Sequence, residues 1–323
     1  MIAPRTATAG KVLAVTLGDP RGVGPEVAAR AAREFAAADH PSLLFIGPTG
    51  TGAESAAGAF EAIGDWPGAG TPAEAGRLAG LAIEAAIRHA LAGTVAGIVT
   101  APIDKSALHA AGYGFPGHTE MLAALSGTPE VSMLMSAETS LLGGPLRVVL
   151  ATTHVRLADV PRLLTEERLV RQTMILAAGL REGWALAGPR IALCALNPHA
   201  SDGGLFGDEE ERVYRPAITR LRSEGLSVEG PIPADTVFLR TARGEFDAVV
   251  APYHDVGMAA FKTACFGGGV NVTLGLPFVR TSPDHGTALD IAGTGRADSA
   301  SMLEALRLAA RLAGNRGLPE PRP

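Results

Sequence analysis

Short apolar runs alternate with longer segments of helical period along most of the chain. Residues 12–17, 43–46, 97–100, 146–152, 191–195, 248–251 and 270–273 are runs rich in Val, Ile and Leu, the pattern of strands buried on both faces. Between them, residues 25–37, 73–92, 165–180, 209–224 and 299–313 repeat apolar residues at helical spacing, which predicts amphipathic helices. Strands and helices in alternation predict an α/β fold on a largely parallel sheet. The Gly- and Ala-rich stretch 47–80 reads as variable surface structure.

The unusual polar residues fall just after the predicted strands. Asp19, Arg21, Gly22 and Gly24 follow the first; Asp104 and Lys105, then His118, Thr119 and Glu120, follow the third. His154, Asn197 with His199, and His254 with Asp255 follow the next three. Ligands of open α/β sheets sit at the carboxyl ends of strands, so these five loops mark a site.

Two glycine motifs mislead. Residues 47–52 have the glycine spacing of a phosphate loop, but Ala53-Glu54 stands where Lys-Ser/Thr is required, which removes the ATPase reading. The loop Gly22-Val23-Gly24 has Val27 where a dinucleotide fingerprint needs its third glycine. Pro25 suits the first position of a helix, so this loop is a tight strand-to-helix turn, with or without an anion at the helix start.

Composition narrows the class. The chain has 323 residues, is 47% hydrophobic and 19% charged, and carries a net charge of −5. That length predicts two domains. The charge argues against nucleic-acid or acidic-membrane partners. No apolar leader opens Met1–Gly10 and no run reaches the length of a membrane span, so a cytoplasmic enzyme is expected. Cys194 and Cys265 lack metal-like spacing and read as core filler. Of 28 basic residues only Lys11, Lys105 and Lys262 are lysines. A lysine kept where arginine is the rule suits proton transfer, because its pKa moves on burial.

A lone loop histidine is ordinarily structural. Here His154, His199 and His254 each follow a buried strand, and three neutral imidazoles suit a divalent ion such as zinc, cobalt or manganese. Such a set serves a metallohydrolase as well as a dehydrogenase; a dinucleotide site would decide between them.

The blocks LGDPRGVGPEV (17–27), TAPIDKSALHAAG (100–112), PGHTE (116–120), ATTHVRL (151–157), LNPHASDGG (196–204), PADT (233–236), YHDVG (253–257) and FGGGVNVTLGLPFVRTSPDHGTALDIAGTGRAD (266–298) carry a resemblance. In their order and over nearly the whole length, the chain resembles the 4-hydroxythreonine-4-phosphate dehydrogenases of pyridoxal phosphate biosynthesis. The last block is also similar to the cofactor loop of isocitrate and isopropylmalate dehydrogenases. The resemblance implies two α/β domains around a cleft. Residues 1–125 with 270–323 would carry the cofactor loop, and residues 126–269 the metal-ligand loops and homodimer contacts.

By the same resemblance, His154, His199 and His254 bind one divalent metal (Zn, Co, Mn or Mg), one of them reaching across the dimer. His118, Thr119, Lys262, Asn271 and Arg280 contact a small phosphorylated hydroxy acid. Asp284, His285, Gly286, Thr287 and Asp290 hold NAD or NADP. For the proton, the chemistry of the reaction leaves Lys262 and Lys105 as candidates, with Asp235 or Asp255 able to orient a ligand histidine instead. Val256 departs from the family, where glutamine is common. The implied reaction is oxidation and decarboxylation of 4-phosphohydroxy-L-threonine. Its rivals are a sister enzyme acting on phosphorylated threonate or erythronate or on a cis-diol, a three-histidine metallohydrolase, and a phosphate-acyl transferase on the same fold.

Overall fold

The computed structural model describes residues 11–36, 40–56, 58–265 and 267–316. The opening Met1–Gly10, Ala37 at the end of the first predicted helix and Phe266 at the head of the last block lie outside them. In chain order the strands are β1 (Val12–Thr16), β2 (Ser42–Thr49), β3 (Ala59–Asp65), β4 (Gly97–Thr100), β5 (Ser132–Ala137), β6 (Leu146–Leu150), β7 (Arg190–Cys194), β8 (Ser227–Ile232), β9 (Ala248–Ala251), β10 (Val270–Leu274) and β11 (Val279–Pro283). The helices are α1 (Gly24–Phe35), α2 (Pro72–Leu91), α3 (Lys105–Ala110), α4 (His118–Leu125), α5 (Val160–Leu163), α6 (Glu166–Trp184), α7 (Arg215–Ser223), α8 (Ala234–Ala242), α9 (His254–Ala264) and α10 (Ala300–Arg316).

The chain divides into two compact units, Met1–Val131 with Val270–Pro323, and Ser132–Gly269. In the first unit the strand order is β3-β2-β1-β4-β11-β10. Every pair is parallel except β10 with β11. In the second unit the order is β5-β6-β9-β7-β8, parallel except for β5 with β6. The sheet is therefore mixed but largely parallel, as the alternating pattern predicts. No helix among the described residues is long and apolar enough to cross a membrane.

The core of the first unit gathers Ala14, Ile46, Ile83, Ile98, Leu108 and Phe278. Helix α2 starts with a reciprocal cap, in which the Glu74 amide donates to Thr71 Oγ1 at 3.2 Å and the Thr71 amide to Glu74 Oε2 at 2.7 Å. Its small residues serve packing. A Cβ at Gly76 would lie 2.0 Å from the Ala107 carbonyl oxygen, so glycine there lets α2 approach α3. The second unit packs Leu146, Val148, Leu150, Ala192, Val249 and Phe261, with Val256 against them. At position 256 this chain thus places an apolar contact. Cys194 and Cys265 are buried, and burial pushes their thiols up to about 12 and about 11, so both stay inert at neutral pH.

Two expectations differ from the structure. The stretch 47–80 contains the whole of edge strand β3 and a 3-10 turn, Ala53–Ala56. The helix expected over 209–224 begins as a π-helical turn, Glu210–Tyr214, before α7. That turn aims Glu210 inward, and the residue is buried.

Candidate active site

In the first unit the loops after β1 and β4 are tied by charge. Asp19 is buried and grips Arg21, accepting from Nε at 3.0 Å and Nη2 at 2.7 Å. Arg21 Nη2 also reaches Asp104 Oδ2 at 3.0 Å. Asp104 caps α3, accepting from the Ser106 and Ala107 amides. Burial opposes its ionisation, but those amides and Arg21 outweigh burial and hold the carboxyl below the usual range. The clamp fixes Lys105 at the first position of α3.

Beside it lies a buried cationic cluster. Arg280 on β11 is 2% exposed. It donates from Nη1 to Thr273 Oγ1 at 3.0 Å and from Nη2 to Thr100 Oγ1 at 2.7 Å. Its Nε has no partner, and neither does Asn271 Oδ1 nor His118 Nε2. Among the described residues no carboxylate pairs with Arg280. Burial lowers its pKa to about 10, against the supporting field of Glu120, so it is still a cation at neutral pH. Burial, then the charges of Arg280 and Lys105, hold His118 well below its ordinary value, which makes it a neutral imidazole. A buried guanidinium without a counterion costs several kcal/mol, and an arriving phosphate or carboxylate removes that cost. The predicted substrate residues His118, Asn271 and Arg280 thus each bury one polar atom with unused hydrogen-bonding capacity, and Thr119 follows His118 on α4.

The state of His118 has a measurable consequence. The folded protein keeps the ring neutral, whereas the unfolded chain takes up a proton near pH 6.5. Below pH 6.5 the unfolded state binds more protons, so stability falls by about 1.4 kcal/mol per pH unit until the folded ring also protonates. His118→Gln should flatten that slope. Calorimetric melts from about pH 7 to about pH 5 measure it, and equal slopes for both proteins would contradict the neutral assignment.

The C-terminal loop and the glycine loop meet. The Val23 amide donates to the Thr287 carbonyl at 2.9 Å, and a Cβ at Gly22 would lie 2.7 Å from that oxygen. Gly22 is therefore required for close approach, and the two loops are in direct contact. They border a cleft of about 460 Å³ lined by Arg21, Glu26, Trp66, Gly68 and Gly293 among others. Glu26 Oε2 accepts from the Gly293 amide at 3.0 Å, while its Oε1 is enclosed without a donor. Asp284, anchored by its amide to Ser301 Oγ at 3.0 Å, starts the loop that carries His285, Gly286, Thr287 and Asp290. Glu26 and Trp66 escaped the sequence reading; the acidic residue after Gly-Val-Gly-Pro was the available signal.

In the second unit, the rings of His154 and His254 lie 5.6 Å apart and tilted by 42°. His254 starts α9, with Nδ1 2.7 Å from Asp255 Oδ1, which leaves Nε2 as its other binding atom. Asp235 is exposed in the first turn of α8, where its field reaches Cys194. Among the described residues no three His, Cys, Asp or Glu side chains of one chain converge on a metal position. His199 sits in a run of left-handed backbone, with positive φ at His199, Ala200, Ser201 and Asp202; His154 has φ +52°. Such conformations cost about 1 kcal/mol or more each and persist where function requires them. Glu210 secures the entry to that run, accepting from the Leu196 and Asn197 amides at 3.0 and 2.8 Å and from Asn197 Nδ2 at 2.8 Å. Lys262, exposed in the last turn of α9, stands eight residues beyond His254, about 12 Å along the helix axis.

The family described as "Pyridoxal phosphate biosynthetic protein PdxA" matches residues 49–309. A 4-hydroxythreonine-4-phosphate dehydrogenase of Paracoccus denitrificans is 43% identical over 96% of this chain and 100% of its own length. A Bradyrhizobium diazoefficiens protein, provisionally named a D-threonate 4-phosphate dehydrogenase, is also 43% identical, over 93% of this chain and 96% of its own. The crystal structure of 4-hydroxythreonine-4-phosphate dehydrogenase from Klebsiella pneumoniae superposes with a TM-score of 0.81 at 39% identity, covering 94% of this chain and 100% of that one. With the family match spanning most of the chain and near full-length relatives above 40% identity, the chain belongs to the PdxA family of pyridoxal phosphate biosynthetic proteins.

Proposed function

We propose that the protein oxidises 4-phosphohydroxy-L-threonine with a nicotinamide dinucleotide and releases carbon dioxide, giving 3-amino-2-oxopropyl phosphate for pyridoxine 5'-phosphate synthesis. Membership of the family supports the reaction. The observation that carries the reading at the site is Arg280, a buried cation without a carboxylate partner among the described residues. Its fork suits a pair of phosphate or carboxylate oxygens. Neutral His118, Thr119 and Asn271 would orient the remaining polar groups. Lys105 or Lys262 would take the proton from the substrate hydroxyl while hydride leaves the same carbon for the nicotinamide ring. The ketone so formed is β to the carboxylate. Loss of carbon dioxide leaves its electron pair as an enolate, which takes a proton at carbon.

His154, His199 and His254 would hold one divalent ion. When bound, such an ion supplies positive charge that eases loss of the hydroxyl proton and steadies the enolate. His154 and His254 lie together in one chain, so His199 is the ligand we assign to a second copy. Leu157, Leu205 and Phe206, in the loops that carry His154 and His199, are 66%, 72% and 47% exposed. They offer the apolar surface a homodimer would bury. The first unit would hold the dinucleotide in the cleft beside Gly293, and the second would hold the metal ligands.

A nicotinamide-reduction assay with and without added divalent metal tests the reading. 4-Phosphohydroxy-L-threonine should exceed phosphorylated threonate, phosphorylated erythronate and a cis-diol by at least tenfold in kcat/KM, about 1.4 kcal/mol. Threonate 4-phosphate turning over faster would place the protein with its Bradyrhizobium relative. No reduction with any of them would return the three-histidine hydrolase.

A further inference from the structure

The cleft of the first unit has a charge balance that bears on which dinucleotide enters it. This step rests on the reading above, that the cleft holds the dinucleotide, and sets its adenosine ribose beside Glu26. Arg21 is the cation in its wall, and it is committed to Asp19 and Asp104. Arg30, on the same helix as Glu26, spends Nη1 on the carbonyls of Gly295 and Ala297 at 3.2 and 2.7 Å. The wall thus sets Arg21 against Asp19, Asp104 and Glu26, while Arg30, four residues beyond Glu26 and outside the lining, keeps its own charge. Glu26 itself is fixed at Oε2 by the Gly293 amide, and its Oε1 has no donor.

We propose that Glu26 is a specificity-determining residue that makes this cleft select NAD over its 2'-phosphorylated form. A ribose with free hydroxyls can donate to a carboxylate, and Oε1 of Glu26, enclosed in the unliganded protein, has no donor of its own. An acidic side chain is the general partner of such hydroxyls, as an uncommitted arginine is of a 2'-phosphate. A 2'-phosphate carries about −1.5 to −2 charge at neutral pH. In this cleft it would meet a like charge and a guanidinium already satisfied. The exclusion is electrostatic and needs no steric block.

Trp66 lines the same cleft, and it is one of only two tryptophans in the chain. With Trp184→Phe as background, its emission reports binding without turnover. NAD should quench Trp66 saturably with a Kd at least tenfold below that of NADP. Glu26→Gln keeps one acceptor for Gly293 and removes the charge. It should bring the two Kd values within about threefold, chiefly by tightening NADP. Calorimetric titration of the same proteins gives a second reading of each Kd. Equal affinities in the parent protein would overturn the selection without need of any variant. So would a preference for NAD that Glu26→Gln leaves unchanged in a protein whose melting point shows it folded. Absence of saturable binding of either nucleotide by both methods would overturn the cofactor reading of the cleft, and this inference with it.

Discussion

Alanine in place of His154, His199 or His254 should each lower kcat/KM by on the order of a thousandfold or more and abolish stoichiometric binding of a divalent ion. Loss of charge stabilisation worth several kcal/mol sets that scale. Folding should survive, because none of the three rings belongs to the apolar core. The backbone gives a further check. His154 and His199 both have positive φ, which alanine does not relieve and glycine does. His199→Gly should therefore be as inactive as His199→Ala yet more stable by up to about 1 kcal/mol. If His199 comes from a second copy, mixing His154→Ala with His199→Ala recreates one intact site per mixed dimer. Activity should then return to about a quarter of wild type at statistical exchange. Full metal content in all three single variants would dismiss the triad; no recovery on mixing under conditions where subunits exchange would keep all three ligands in one chain.

The strands legible in the sequence were those with unbroken apolar runs, such as β1, β4 and β9. Those that escaped notice have particular reasons. Edge strand β3, with Glu61 and Asp65, and edge strand β8, with Gly230 and Pro231, face water on one side and carry no apolar run. Strand β11 lies inside the sheet yet reads Val-Arg-Thr-Ser-Pro. Its polar residues are buried: Arg280 bonds Thr100 Oγ1 at 2.7 Å and Thr281 the Ala305 carbonyl at 2.9 Å. Periodicity therefore fails where buried, hydrogen-bonded polar residues take the place of an apolar run. The site shows the same division. Post-strand position pointed to the loops, and family resemblance supplied roles for single residues. Neither reveals that Glu210 braces the His199 loop, or that Trp66, from a stretch read as variable surface, walls the cleft. Those facts depend on a π-helical turn and on an edge strand, and both are set by tertiary packing rather than local pattern.

Arg280→Met should separate function from stability. The parent side chain is a guanidinium shut away from water, bonded to two threonine hydroxyls and paired with no carboxylate among the described residues. Methionine occupies similar length without charge. Removing the counter-charge of a buried anion costs about 3 kcal/mol or more in binding, so kcat/KM should fall on the order of a hundredfold or more. In the free protein the balance runs the other way. Replacing an uncompensated buried charge by a well-packed apolar group is neutral or stabilising, and the loss of two hydroxyl contacts at about 1 kcal/mol each offsets part of that gain. The melting temperature of Arg280→Met should thus stay within a few degrees of wild type, on either side. Inorganic phosphate is the useful probe. It should raise the wild-type melting temperature by filling the cluster, and it should leave Arg280→Met unmoved. Near-normal turnover in the variant, or an equal response to phosphate in both proteins, would show that the anion binds elsewhere. A melting temperature lowered by more than about 10 °C would make Arg280 a structural residue instead.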